Sequence, residues 1–202
     1  MKHIYLVRHG QTDFNLKGIV QGSGVDASIN ETGLKQAQAF YDNFRSVPFD
    51  KVYTSKLKRT QESVARFIDI TPHETFSELN EISWGEFEGQ EVSPSRRVKM
   101  KALVDGWNAG DFDLAPFKGE SHNDVAKRQK EFVPIITGRK NENTILICSH
   151  GRAMRVFLCV LLGLPLSQMD RFAHQNLCLY HLGYSEKKGF KVLKENYIGH
   201  LH

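Results

Sequence analysis

Residues 4–12 read Ile-Tyr-Leu-Val-Arg-His-Gly-Gln-Thr, a short apolar run that stops at an arginine, a histidine and a glycine. Such a run predicts a buried strand, and Gly10 just past its end lets the backbone turn sharply and pass close to a ligand. The strand therefore delivers Arg8 and His9, a fixed positive charge beside a nucleophile, to its carboxyl end. The same order returns at residues 144–151, where Thr-Ile-Leu-Ile-Cys-Ser runs into His150-Gly151 and then into a helical pattern. Two histidines at two strand ends point to one shared site.

Between and beyond these strands, helical and extended patterns alternate. A glycine-rich loop through Gly18, Gly22 and Gly24 leads to Asn30, a helix N-cap, and Leu34, Ala37, Tyr41 and Phe44 give the helix its expected buried stripe. A strand at 51–54 is followed by a helix with Val64, Phe67 and Ile68 on one face, then by a short strand at 75–78 and an irregular acidic stretch at 79–89. A helix is expected over 96–107 and a loop over 110–119. Ser121-x-x-Asp124 then opens a long helix carrying Val125, Phe132 and Ile136 until Gly138 ends it. The strand at 144–149, a helix from Arg152 and two strands at 177–181 and 190–193 complete the pattern. Strands alternating with helices predict a three-layer α/β/α sandwich with a mostly parallel central sheet. Ligands of such sheets sit beyond the carboxyl ends of the strands. Arg8-His9, Arg59, Glu81 and His150 follow the first, second, third and fourth strands, so parallel strands bring all of them to one edge.

The 202 residues fit one domain spanning 1–202, with a variable segment at about 90–120. A hydrophobic fraction of 40% and a charged fraction of 25%, with no low-complexity tract, describe an ordinary globular chain rather than a disordered one. The formal charge of +4 is spread widely, and its densest cluster, Arg96, Arg97, Lys99 and Lys101, reads as a solvated helix face. No nucleic-acid motif accompanies it, so nucleic acid is not an expected partner. Cys148, Cys159 and Cys178 are odd in number, far apart and set in apolar runs, as core residues would be. A strand almost at Met1 leaves no room for a targeting peptide, and the longest apolar stretch, 156–164, is too short to cross a bilayer. The expectation is a cytoplasmic protein without a membrane partner; nothing in the sequence speaks to its oligomeric state.

The clustered residues suit phosphoryl chemistry. A neutral imidazole has one nitrogen with a free lone pair that can attack phosphorus, and neighbouring arginines favour that neutral form while binding phosphoryl oxygens through planar forked donors. Phosphoryl transfer mainly requires positioning and charge stabilisation, so the site needs no metal or cofactor. The helices beginning near Arg59 and after Gly151 are also placed to aim their N-termini at a phosphate. A departing alkoxide needs a proton, and Glu81 is the best placed carboxylic acid, although Glu78, Glu86 and Glu88 also fit a merely solvated acidic loop.

These residues resemble the histidine phosphatase superfamily, which includes the cofactor-dependent phosphoglycerate mutases. The resemblance runs from residue 4 to about residue 160. The opening is similar to the family's Arg-His-Gly-Glu/Gln-Thr, with Asn15 at its phosphate-contacting asparagine and Gln21-Gly22 at its loop contact. Residues 26–33 follow the spacing Asp-x-Pro-Leu-Thr-x-x-Gly, with Ser28 and Asn30 in place of the usual Pro and Thr. Residues 54–64 resemble the segment that supplies a second phosphate-binding arginine, here Arg59. Residues 80–89 resemble the acidic loop with the proton donor, here Glu81, and Cys148-Ser149-His150-Gly151 resembles the second histidine motif.

The resemblance implies that His9 takes the phosphoryl group of a small phosphorylated metabolite, that Glu81 protonates the departing oxygen, and that Arg8, Arg59 and His150 form the charged pocket. Asn15, Gln21, Gly22 and Gly151 would add substrate contacts. Mutases of the family carry an Arg-Arg pair after a tryptophan to hold the substrate carboxylate, whereas here Trp107 is followed by Asn108-Ala109. Lys118-Gly119-Glu120-Ser121 instead resembles the Gly-Glu-Ser of the small phosphatases. A phosphomonoesterase is therefore preferred, with a phosphoglycerate mutase and a non-catalytic phosphate-binding protein of the same fold as alternatives. Three residues have two readings each: Trp84 lines the pocket or packs beneath its loop, Arg152 binds a second anionic group or decorates a helix surface, and His174, together with the residues up to Asn176, reaches the site or caps a strand. His200 and His202 read as a frayed tail.

Overall fold

Six apolar runs pair into one sheet. In this computed structural model, which describes residues 1–91 and 93–202, the strands are β1 (Lys2–Arg8), β2 (Lys51–Ser55), β3 (His73–Phe76), β4 (Thr144–Ser149), β5 (Leu179–Ser185) and β6 (Gly189–Tyr197), in the order β3-β2-β4-β1-β5-β6. Val92, in the expected variable segment, lies outside the described residues. β1, β2, β3 and β4 run parallel, while β5 is antiparallel to both β1 and β6. The first four strands thus end at one edge.

The helices are α1 (Asp13–Lys17), α2 (Glu31–Phe44), α3 (Lys58–Ser63), α4 (Ala65–Ile68), α5 (Pro94–Asn108), α6 (His122–Gly138) and α7 (Gly151–Leu162). Side chains alternate across a strand, and each central strand sends one apolar set to each face. Ile4 and Leu6 of β1, with Ile145 and Ile147 of β4, pack with Val125, Phe132 and Ile136 of α6 and the buried stripe of α7. Val7, Leu146 and Cys148 face the other way, onto Phe40 of α2 and Phe67 of α4. Both faces are covered, which is why these strands read as unbroken apolar runs rather than as alternating ones. Cys148, Cys159 and Cys178 are buried and unpaired, and no helix among the described residues is long and apolar enough to cross a membrane.

Several expectations are corrected. The stripe of α2 holds at Tyr41 and Phe44, which pack on the core, but not at Leu34, which is 57% exposed, while Gly33 and Phe40 are buried. Gly33 lies too close to the Gln11 carbonyl for a Cβ, so the first turn of α2 meets that loop through Gly33 and leaves Leu34 outside. The helix expected after β2 is split at Val64 (φ −125°, ψ 20°), next to Ser63, whose hydroxyl bonds back to the Arg59 carbonyl. β3 lies two residues earlier than expected and continues as a 3-10 turn over Ser77–Leu79. Leu177 adopts φ +55°, so β5 starts only at Leu179. His200 is not part of a frayed tail: its ring is buried against Phe40 and Phe44.

Phe40 meets Phe44, Phe67 and His200 and is fully buried, so Phe40→Ala should destabilise the fold by about 3–5 kcal/mol in urea unfolding. Leu34→Ala should stay within about 0.5 kcal/mol. The opposite ranking would mean that α2 presents its other face to the sheet.

Candidate active site

The His9 N–H donates to the Ser149 carbonyl (2.9 Å), while Leu177 N donates to the Arg8 carbonyl (3.1 Å), so the chain leaving β1 is held on both sides. The His9 ring is 2% exposed, and its Nδ1 lies 2.7 Å from the Gly10 carbonyl oxygen. A carbonyl only accepts, so Nδ1 carries the hydrogen and Nε2 keeps its lone pair. Burial, then the charges of Arg8 and Arg59, holds the His9 pKa well below the ordinary histidine value, against the opposing pull of the Gly10 bond. Gly10 N–H donates to Ser63 Oγ (2.7 Å), which fixes the turn against α3.

Arg59 is fully buried, and burial brings its pKa down to about 10. Its Nε donates to His150 Nδ1 (3.1 Å), and its two terminal nitrogens donate to the carbonyls of Val25 (2.6 Å) and Gly22 (3.1 Å). A guanidinium has five N–H donors, so two remain for a ligand. Because Arg59 can only donate, His150 Nδ1 is the acceptor and His150 Nε2–H donates to Ser55 Oγ (2.8 Å). The His150 ring is thus neutral, in line with a pKa held well down by burial and by Arg59, and its centroid lies 5.2 Å from that of His9. Arg8 has one long bond, to the His174 carbonyl (3.4 Å), and burial lowers its pKa.

Glu81 is buried beneath α7. Its Oε1 accepts from the N–H groups of Ile82 (3.0 Å) and Ala153 (2.8 Å), and its Oε2 from that of Arg152 (3.1 Å). The Arg152 and Ala153 amides at the N-terminus of α7 are therefore occupied by this carboxylate, which corrects the expectation that this terminus is aimed at a phosphate. The alternative of a merely solvated acidic loop also fails at Glu88, which accepts from Trp84 N (2.7 Å) and Gly24 N (2.7 Å) and so ties residues 83–88 to the glycine-rich loop. A Cβ at Gly22 would fall 2.6 Å from the Ile82 carbonyl, so this approach of the two loops needs glycine.

Asn15 Oδ1 accepts from Thr12 N (3.2 Å) and Asn176 Nδ2 (3.2 Å), which fixes its amide orientation and leaves Nδ2 for other acceptors. Gln21 Nε2 donates to Thr12 Oγ1 (2.7 Å) in the same loop. A Cβ at Gly151 would lie 3.3 Å from Arg8 Nε and 3.0 Å from the His174 ring. The structure thus gathers Arg8, His9, Arg59, Glu81, His150 and Gly151 at the carboxyl edge of the sheet, with Asn15 and Gln21 on the adjoining loop. Sequence reading missed Ser55 and Ser63, single polar residues whose partners are distant in the chain, and of the group His174 to Asn176 it considered for the site, Asn176 reaches the His9 carbonyl (3.0 Å) and Asn15. It also missed Glu120, whose Oε2 accepts from Ser83 N (2.8 Å), and Arg128, which joins Glu120 (2.9 Å) to the Glu81 carbonyl (3.2 Å).

Arg152 NH1 donates to His122 Nε2 (3.3 Å), and its guanidinium carbon lies 5.5 Å and 5.1 Å from the ring centroids of Trp84 and Trp107. It is not a helix-surface arginine. Among the described residues no group of three or more His, Cys, Asp or Glu side chains is placed to hold a metal ion.

A neutral histidine buried between two arginines, on an α/β sheet edge with a carboxylate beside it, is the arrangement of a site for a transferable anionic group. The chain belongs to the histidine phosphatase superfamily (branch 1), whose family model matches residues 4–197. The match takes in β5 and β6, beyond the reach of the motifs. Phosphoserine phosphatase 1 of Hydrogenobacter thermophilus is 28% identical over 206 residues, covering 100% of this chain and 95% of its own. A phosphoglycerate mutase of Schizosaccharomyces pombe is 30% identical over 207 residues, covering 95% and 94%. The crystal structure of the α-ribazole phosphatase from Shigella flexneri superposes with a TM-score of 0.82 at 26% identity, over 98% of each chain.

The fully buried His122 ring titrates at about 3, because burial and then the Arg152 charge disfavour its cation. Unfolded, the group titrates near 6.5, so below that pH the unfolded chain binds a proton that the folded one does not, and stability falls with pH. Between pH 6.5 and pH 5 this amounts to about 2 kcal/mol. Urea midpoints at pH 7 and pH 5 should therefore converge in His122→Gln relative to the parent; an equal drop in both would contradict the assignment.

Proposed function

We propose that the protein is a phosphomonoesterase that hydrolyses a small phosphorylated metabolite through a phosphohistidine on His9 Nε2. The observation that carries this reading is the His9 tautomer, with its hydrogen committed to the Gly10 carbonyl and its free lone pair kept unprotonated by burial and two arginines. His9 Nε2 attacks phosphorus while the P–O bond to the alcohol breaks. Arg8 and the two uncommitted Arg59 donors meet the phosphoryl oxygens, and the Asn15 amide adds a further bond. His150 holds Arg59 Nε in place and stays neutral, so it orients the fork without adding charge.

Glu81 supplies the proton to the leaving alkoxide. Oε1 already accepts two N–H bonds and Oε2 only one, so Oε2 is the oxygen with room for a proton. An arriving phosphoryl dianion favours that protonated form. In the second half, water attacks the phosphohistidine, Glu81 takes the water's proton, and the P–N bond breaks to regenerate His9.

We read residues 1–202 as one catalytic domain, with residues 90–120 setting specificity, since Trp107 from this segment packs against Trp84 and Arg152 beside the site. Three buried, unpaired cysteines suit the reducing cytoplasm. The mutase reading draws on the mutase relative. Against it, Trp107 ends its helix in Asn108-Ala109, with no arginine pair to hold a phosphoglycerate carboxylate there.

His9→Ala should abolish both phosphate release and the acid-labile, base-stable phosphoenzyme; turnover by this variant would remove His9 as nucleophile. Glu81→Gln should lower kcat on alkyl phosphates roughly 10²–10⁴-fold, but far less on p-nitrophenyl phosphate, whose leaving group needs no proton. Chelator treatment should leave both rates unchanged. Strong mutase activity on 3-phosphoglycerate with negligible phosphate release would assign the mutase reading instead.

A further inference from the structure

Apart from Arg96, which donates to the Glu91 carbonyl (3.2 Å), the buried and half-buried arginines fall into two groups. Arg128, Arg139 and Arg155 are each paired with a carboxylate, on Glu120 (2.9 Å), Glu74 (2.6 Å) and Asp170 (2.8 Å). Arg8, Arg59 and Arg152 have no carboxylate within ion-pair distance among the described residues. Two of these three are the phosphate pair of the proposed site. The third, Arg152, is held by neutral groups alone: the His122 imidazole, whose Nε2 accepts from it, and the rings of Trp84 and Trp107.

This environment is built. The Trp107 indole N–H is anchored on the Leu114 carbonyl (2.8 Å), the two indole centroids stand 5.4 Å apart, and the His122 ring lies edge-on to Trp107 at 4.3 Å. Indole faces stabilise a desolvated guanidinium and orient its plane, but they leave its charge uncompensated. As at Arg8 and Arg59, no carboxylate is paired with it, so a planar forked donor is kept available, as an anion subsite requires.

The position is adjacent to the reacting group. The Arg152 backbone N–H is bonded to Glu81 Oε2 (3.1 Å), the oxygen assigned to protonate the leaving group. Gly151, the residue before Arg152, lies against the His174 ring, and the His174 carbonyl accepts from Arg8 NH1 (3.4 Å). The alcohol part of a phosphomonoester departs towards Glu81 and hence towards Arg152.

We propose that Arg152, set between Trp84 and Trp107, is a specificity-determining subsite for a second anionic group, a carboxylate or a second phosphate, on the alcohol part of the substrate. It rests on the phosphomonoesterase reading for the orientation of the ligand. It also explains how a chain without an arginine pair after Trp107 can still select an acidic metabolite, since the cation comes from α7 instead.

The chain has two tryptophans, and both flank Arg152, so their fluorescence reports occupancy without turnover. In the His9→Ala protein, 3-phosphoglycerate should perturb this emission and bind roughly 10–100-fold tighter than glycerol 3-phosphate, which has a hydroxymethyl where the other has a carboxylate. Fructose 1,6-bisphosphate against fructose 6-phosphate tests the second-phosphate source in the same way. Adding Arg152→Gln should erase whichever preference is present, and Arg152→Lys, which keeps the charge but not the fork, should retain part of it. In the His9-intact enzyme the same ratio should appear in kcat/KM, mainly through KM. No preference in either matched pair, or an equal loss on charged and uncharged partners in both Arg152 variants, would overturn the subsite. A binding preference without any hydrolysis would leave the subsite standing and reject the phosphomonoesterase.

Discussion

The parallel pairing of β1 with β4 is the constraint on which the rest depends. The ladder runs in register to Arg8 opposite Ser149, and its last bond, from the His9 N–H to the Ser149 carbonyl, places the two histidine-bearing turns side by side at the centre of the sheet. Central strands of a covered parallel sheet are dry, so both imidazoles are buried as soon as the sheet forms. Burial makes them neutral, and neutrality gives them opposite uses. His9 keeps a lone pair on its free nitrogen because Gly10 takes its hydrogen, while His150 spends its lone pair on Arg59 and its hydrogen on Ser55. The same ring in the same kind of turn is left with a free lone pair in one case, as the proposed nucleophile requires, and anchors an arginine in the other, according to which neighbour can only accept and which can only donate.

Concentrating arginine charge at one sheet edge is unfavourable unless something balances it, and the carboxylates nearby do so indirectly. Glu88, Asp26 and Glu62 accept backbone N–H groups of Gly24, Lys58 and Ile29, tying the loops around the site rather than pairing with Arg8 or Arg59. Glu120 works through Arg128, which reaches the Glu81 carbonyl. The acidic residues thus rigidify the frame while the cations are kept unpaired. A site arranged in this way is preorganised for an anion, because binding need not first break an internal ion pair.

The fold was legible where a single local rule decides. The apolar runs at residues 4–7 and 144–149 could only be buried strands, and Asn30 and the Ser121–Asp124 capping box marked helix starts that the structure reproduces. It was illegible where a distant contact overrides local pattern. The apolar character of Leu34 suggested that it joins Tyr41 and Phe44 on the buried face of α2, but the first turn meets Gln11 through Gly33, a contact made only after the chain has folded back. His200 read as tail because nothing local shows that Phe40 and Phe44 wait for its ring. At the site, Arg8, His9 and His150 were readable because they stand at strand ends and Arg59 because it opens a helix, whereas Glu81, five residues beyond β3, was readable through the family resemblance of residues 80–89. Ser55, Ser63 and Arg128 act through partners far away in sequence, and a polar residue without a partner in view carries no signal.

Glu81 is the point at which these constraints compete. Its carboxylate sits on the N-terminus of α7, where backbone N–H groups favour negative charge, yet the proposed reaction needs it protonated when the alkoxide leaves. The two demands are reconciled by the ligand. In the proposed reaction a phosphoryl dianion drawn in by Arg8 and Arg59 brings negative charge towards the carboxylate, which favours delivery of its proton to the leaving oxygen. Once the alcohol has departed with the proton, the N–H groups of Arg152 and Ala153 again stabilise the anion, which is the form needed to deprotonate water in the second step. In the proposed reaction the two α7 backbone bonds that oppose the first proton transfer thus assist the second, so the same helix terminus would let one carboxylate serve as acid and then as base.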